Sequence, residues 1–140
     1  MTKDLVLRFI ESQQFAVVST VFEGKPQAAL VGIAVTLGFE IIFDTVRSTR
    51  KYRNILQNPA VSLVIGLTDP ITVQFEGTAR ELSCSELSAC QAIYFAKWPD
   101  GPERLVWPGI TYIAVKPHWI RYSDFSASPP LIEELVFAAK

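Results

Sequence analysis

A chain of 140 residues, 49% apolar and 19% charged, has the size and make-up of one globular domain spanning 1–140, with enough apolar content for a real core. Thirteen Lys and Arg against fourteen Asp and Glu leave a net charge of −1, so there is no global basic field of the kind that points to nucleic acid. No apolar run approaches the about 20 residues of a membrane span, and the start Met1-Thr2-Lys3-Asp4 lacks a signal-peptide layout, so a cytoplasmic protein is expected.

Thr2 to Gln13 reads as a short helix with Leu5, Val6, Phe9 and Ile10 on one stripe. It is expected to lie across the mouth of the fold formed by the rest of the chain. Phe15 to Phe22 is β-branched and aromatic and reads as a strand. The turn Glu23-Gly24-Lys25-Pro26 leads into a second strand, Gln27 to Thr36, making a hairpin. Leu37-Gly38-Phe39 turns the chain into a third strand, Glu40 to Asp44, so that three antiparallel strands form a meander.

Next comes the most informative stretch. Four of the thirteen basic residues, Arg47, Arg50, Lys51 and Arg53, fall within seven positions, at the start of a helix over about 49–57. A helix start carries partial positive charge and unpaired N–H groups, so acidic side chains normally sit there. A cationic first turn suggests an anion in the same place, and phosphate is the usual one, held by N–H groups, hydroxyls and basic side chains. The alternative is a solvated basic face on a surface helix. Tyr52, Ile55 and Leu56 form the inward stripe, with Arg50, Arg53 and Asn54 elsewhere on the wheel. Asn58-Pro59 ends the helix.

Ala60 to Leu67 is a fourth strand. Ile71 to Leu82 is a long fifth one, in which Val73, Phe75 and Gly77 alternate with Thr72, Gln74 and Glu76, giving one core face and one polar face. Ser83 and Glu86 have the spacing of a capping box for a helix over 83–97, with Leu87, Cys90, Ile93, Tyr94 and Trp98 facing inward. Cys84 and Cys90 lie about 9 Å apart along that helix, too far for a disulfide, and are read as free thiols. The segment to Pro108 is a loop. Gly109 to Lys116 is a sixth strand that Pro117 breaks, and His118 to Tyr122 continues as a strand or its edge. Leu131 to Phe137 adds a helical turn or two. Six or seven strands with interrupting helices make this a mainly β chain, an antiparallel barrel with helical inserts.

Glycine-rich nucleotide loops and the Gly-x-Ser-x-Gly elbow are absent, and His118 is the only histidine, which rules out a multi-histidine metal site within one chain. The string Phe43-Asp44-Thr45, Thr49-Arg50-Lys51, Asn58-Pro59-Ala60-Val61-Ser62-Leu63, continued by Ile71 to Ala79, resembles the FMN-binding split β-barrels of the pyridoxamine 5'-phosphate oxidase-like proteins. The resemblance covers roughly residues 10 to 125.

It implies a homodimer with an FMN in each cleft between subunits. Residues matching Arg50 and Lys51 would hold the phosphate, with Thr45, Ser48 and Thr49 nearby. Thr72 or Gln74 would reach the flavin from the polar face of the fifth strand. Backbone of the second strand around Val31 and Gly32 would meet the ring edge, where a glycine permits close approach. A bend at a barrel corner is the other reading of Gly32. The oxidases proper have basic side chains where this chain has Ala29 and Ala34, and they end in an arginine-x-histidine pair that His118-Trp119-Ile120-Arg121 does not reproduce. The resemblance therefore implies an FMN-dependent oxidoreductase acting on an unidentified small molecule, with Trp119 or Tyr122 available to stack near the ring. A non-catalytic binder of flavin, deazaflavin or haem on the same barrel is the alternative, with His118 the only histidine that could serve as an axial haem ligand.

Overall fold

The computed structural model describes residues 2–138. Eight strands run through it: β1 (Phe15–Phe22), β2 (Lys25–Gly32), β3 (Ala34–Val35), β4 (Ile41–Val46), β5 (Ala60–Ile65), β6 (Ile71–Glu81), β7 (Ile110–Asp124) and β8 (Leu131–Val136). Three helices accompany them, α1 (Thr2–Ser12), α2 (Arg50–Gln57) and α3 (Cys84–Lys97), and a 3-10 helix covers Gly101–Val106. All strand pairs are antiparallel, in the order β2-β1-β5-β6-β7-β4-β3, with β8 paired to β7. Because β2 and β3 are consecutive in the chain, the two ends of the sheet meet at Ile33 and the sheet curls round on itself. Ile33 pairs with neither neighbour strand; its N–H donates to the Gln14 carbonyl at 3.0 Å.

The inside of the curl is the core. The alternation read in β6 holds, with Val73 and Phe75 buried and Gln74 and Glu76 exposed. Phe43, Leu63, Phe75, Ile113 and Ile120 meet there, and α1 closes the barrel with Val6 and Ile10 fully buried among them. A second cluster lies outside the barrel, where Cys90 and Tyr94 of α3 cover Ala34, Ile42, Tyr112 and Ala114. Cys84 and Cys90 are both free. Among the described residues no helix is long and apolar enough to cross a membrane.

Several local expectations are corrected. The strands number eight rather than six or seven. Gln27 to Thr36 divides at Ile33, and Leu131–Val136 pairs with β7 as a strand instead of adding helical turns. Pro117 does not end its strand. The register slips between Glu76 and Gly77, so that Pro117 sits opposite Gly77, Trp119 sits opposite Glu76, and His118 is the extra residue of a bulge. Gly77 is needed there, because a Cβ would overlap the Lys116 carbonyl oxygen. The meander forms only in part: β2 pairs with β1 and the short β3 pairs with β4 at Ala34 and Val35, while the rest of β4 lies against β7 and not against β2. Leu56 is 61% exposed, and the polar Asn54 takes an inward place instead. The Ser83 hydroxyl caps nothing: Cys84 enters α3 at φ 56°, and Glu86 is drawn to Arg80 at 2.6 Å.

Candidate anion-binding site

The turn between β4 and α2 is built by hydroxyls. Thr49 is the cap of α2, its side chain accepting the Tyr52 N–H at 3.4 Å. Buried Thr45, at the end of β4, bonds the Thr49 hydroxyl at 3.0 Å and so fixes it from behind. The N–H groups of Arg50 and Lys51 open the helix and find no backbone acceptor among the described residues.

The four cations of this stretch have different fates. Arg47 is latched to Glu81, donating from Nε at 2.9 Å and from Nη2 at 2.7 Å. Tyr52 and Thr111 donate to the same carboxylate. Burial alone would raise the Glu81 pKa, but the bonds from Thr111, Arg47 and Tyr52 hold it below the usual carboxylate range. Arg53 turns back to donate to the Ser48 carbonyl at 2.8 Å. Arg50 and Lys51 have no carboxylate within ion-pair distance among the described residues.

Arg50 and Lys51 line, with Ser48, Thr49, Thr20, Gln27, Ala28 and Ala29, a cleft of about 360 Å³ between α2 and the first hairpin. Burial pushes the Lys51 pKa down, and nearby Asp44 works against that shift. An ammonium that has lost water in this way gains from an anion beside it. Asp44 itself is engaged elsewhere, by Arg104 Nε at 2.7 Å and by the Tyr94 hydroxyl at 3.3 Å.

The structure thus brings Ser48, Thr49, Arg50 and Lys51 together, with Thr45 directly behind. It does not bring Val31, Gly32, Thr72 and Gln74 to this cleft within one chain. Gln74 stands on the outer face of β6, opposite Val64 and Arg121, and β5 separates β6 from β1. At Gly32 the planar group that packs closely is the chain's own Trp98, whose ring lies 2.8 Å from where a Cβ would stand. The Trp98 indole N–H donates to the Ile33 carbonyl at 2.9 Å. Tyr122 is a core residue, edge-on to Phe9, and Trp119 donates to Glu134 at 3.1 Å. His118 lies on a separate groove of about 460 Å³ with Ser19, Ser62 and Glu76, its Nε2 bonded to the Thr78 hydroxyl.

Sequence reading missed Thr20, Gln27 and Asn54. Asn54 is 4% exposed, and its Nδ2 donates to Thr20 Oγ1 at 2.9 Å and to Gln27 Oε1 at 3.0 Å. The hairpin itself was legible, and the facing pair Thr20 and Gln27 comes from its register. Nothing local marked them as cleft residues.

A curled antiparallel sheet with a hydroxyl-rich, cationic helix start defines a recognisable class. The family model described as Pyridoxamine 5'-phosphate oxidase matches residues 2–124, and the chain belongs to that family. A search of the curated proteins finds no match.

Solved structures share the fold. The General Stress Protein 26 from Bacillus anthracis str. Sterne aligns with a TM-score of 0.75 at 24% identity, over 96% of this chain and 98% of that one. A heme binding protein from Mycobacterium smegmatis aligns at 0.79 with 18% identity, over 93% of this chain but only 56% of that one. A pyridoxamine 5'-phosphate oxidase-related, FMN binding protein from Nostoc punctiforme PCC 73102 aligns at 0.65 with 11% identity, over 99% and 92%.

Proposed function

We propose that this chain binds FMN, with the phosphate in the cleft at the start of α2, and that it acts as an oxidoreductase on a small molecule. The observation that carries the reading is the division of labour among four neighbouring cations. Arg47 is neutralised by Glu81, Arg53 braces a carbonyl, and Arg50 and Lys51 are left facing a cleft that no carboxylate lines. The residues present fit a phosphate monoester: two cations, two open N–H groups and the hydroxyls of Ser48 and Thr49. The flavin would supply the electron transfer, while the chain holds the phosphate and fixes the ring's position. Val31 and Gly32 continue the cleft-lining strand β2 beyond Ala29, whereas Thr72 and Gln74 on β6 lie too far round the barrel for one chain to bring them to the site. We therefore propose a homodimer, with the polar face of β6 from one subunit completing the cleft of the other. Deazaflavin would suit the same arrangement.

A non-catalytic haem-binding reading rests on His118, exposed at the bulge and lining its own groove. To take an iron it would have to leave Thr78. The absorption spectrum of purified protein separates a flavin from a haem.

The phosphate assignment is tested by titrating FMN and riboflavin, which lacks the phosphate. A charge-assisted hydrogen bond contributes about 1.5–3 kcal/mol. Arg50→Ala is therefore expected to weaken FMN by roughly ten-fold or more and to leave riboflavin nearly unchanged. Equal losses for both ligands, or none for FMN, would overturn the assignment.

A further inference from the structure

We infer that Asn54 is a positioning residue that sets the hydrogen-bond polarity of the cleft, holding Thr20 and Gln27 as donors toward the ligand. This rests on the phosphate reading above and adds two ligand-facing groups to it.

Asn54 is 4% exposed and Thr20 1% exposed, so the bonds between them form out of water, where an unpaired amide is costly. The Asn54 Nδ2 carries two hydrogens and spends both, one on Thr20 Oγ1 and one on Gln27 Oε1. The chemistry of the acceptors has two consequences. The Thr20 oxygen accepts from Asn54, so its own hydrogen stays available. The Gln27 carbonyl oxygen is committed to Asn54, so the Nε2 at the other corner of the same planar amide points away from Asn54. Both residues line the cleft with Arg50 and Lys51. They face each other across the β1–β2 ladder, which fixes their backbones.

Asn54 lies four residues after Arg50 and three after Lys51, so one helix face delivers the cations and the amide that orients the opposite wall. The cleft then presents donors from both walls: Ser48 and Thr49 hydroxyls, Arg50, Lys51, the Thr20 O–H and the Gln27 amide N–H. Such a lining favours a group that only accepts, such as a phosphate monoester dianion, over a neutral hydroxyl or amide that must also donate.

The test uses full-length protein, FMN and riboflavin, and four variants: Thr20→Val, Gln27→Met, Asn54→Leu and the Gln27→Met/Asn54→Leu double variant. Gln27→Met and Thr20→Val are each expected to weaken FMN about ten-fold and riboflavin little. Asn54→Leu should do the same without touching the ligand. Because Asn54 acts through Thr20 and Gln27 together, the double variant should lose no more FMN affinity than Asn54→Leu alone, and the sparing of riboflavin is what a merely structural role would not produce. Wild-type FMN affinity in both Thr20→Val and Gln27→Met would overturn the inference, as would fully additive losses or equal losses for riboflavin. If Asn54→Leu does not fold, the Thr20 and Gln27 variants still decide. Failure of these variants while Arg50→Ala behaves as expected removes only this inference. Failure of Arg50→Ala removes the phosphate reading beneath it.

Discussion

Arg104→Ala is expected to destabilise the protein by about 1–3 kcal/mol, because it leaves a largely covered carboxylate without its charged hydrogen-bond partner. The side chains of Arg104 and Asp44 are only 17% and 16% exposed, and their bond is 2.7 Å. Without the guanidinium, Asp44 keeps one bond, from the Tyr94 hydroxyl at 3.3 Å. Tyr94 is itself held protonated, its pKa raised first by burial and then by Asp44. Urea unfolding should show a lower midpoint with an unchanged slope. Asp44→Asn in the same background should recover much of the loss, because the unpaired, half-buried charge is then gone. A single variant as stable as wild type would mean that the pair contributes nothing. The folded fraction of Arg104→Ala should also bind FMN less well than wild type, since an unpaired Asp44 beside Lys51 competes with the phosphate for that ammonium.

Phe75→Ala is expected to cost about 3–5 kcal/mol, through lost burial and the cavity it leaves. Phe75 is fully buried at the centre of the barrel, flanked by Leu63 on β5 and Ile120 on β7. Gln74→Ala, one residue earlier on the same strand, points to the outer face and should change stability by no more than about 0.5 kcal/mol. Thermal or urea unfolding of the two variants measures which face of β6 is core. Comparable losses at both positions would contradict the alternation.

The contrast between Phe75 and Gln74 was readable from sequence because a strand with one buried face writes a period of two into the chain. The start of α2 was readable for a similar reason. Thr49 caps it locally, and a cationic first turn is a local anomaly that asks for an anion. The decisions that escaped were those made by distant partners. Which of Arg47, Arg50, Lys51 and Arg53 stays free depends on Glu81, far along the chain on another strand. Asn54 sits on the inward side because Thr20 and Gln27 satisfy its amide, and no helical wheel contains that information. Ser83 and Glu86 matched a local capping pattern, but Arg80 offered Glu86 a charged partner. Leu131–Val136 is too short for periodicity to choose helix or strand. The free edge of β7 chose for it. The closure by a second subunit proposed above would leave no signature in one chain beyond polar side chains on an outer face.

The order of strands round the barrel also governs how fast the chain can find it. The β1–β2, β3–β4, β5–β6 and β7–β8 hairpins and the helices form from near neighbours in sequence, but the hairpins must still be joined to one another. Ala16 must meet Ile65, and Ile41 must meet Val115, before the curl can close. Ordering the long intervening loops precedes any reward from these contacts. Folding dominated by such non-local pairings belongs to the regime of about milliseconds to seconds, slower than helical bundles of comparable size. Until β4 docks on β7, the anion cleft has its cap residues but not a fixed strand end to carry Thr45. Competence to bind phosphate should therefore arrive with the last and slowest phase of refolding, which stopped-flow mixing with FMN would show as a lag behind the recovery of secondary structure.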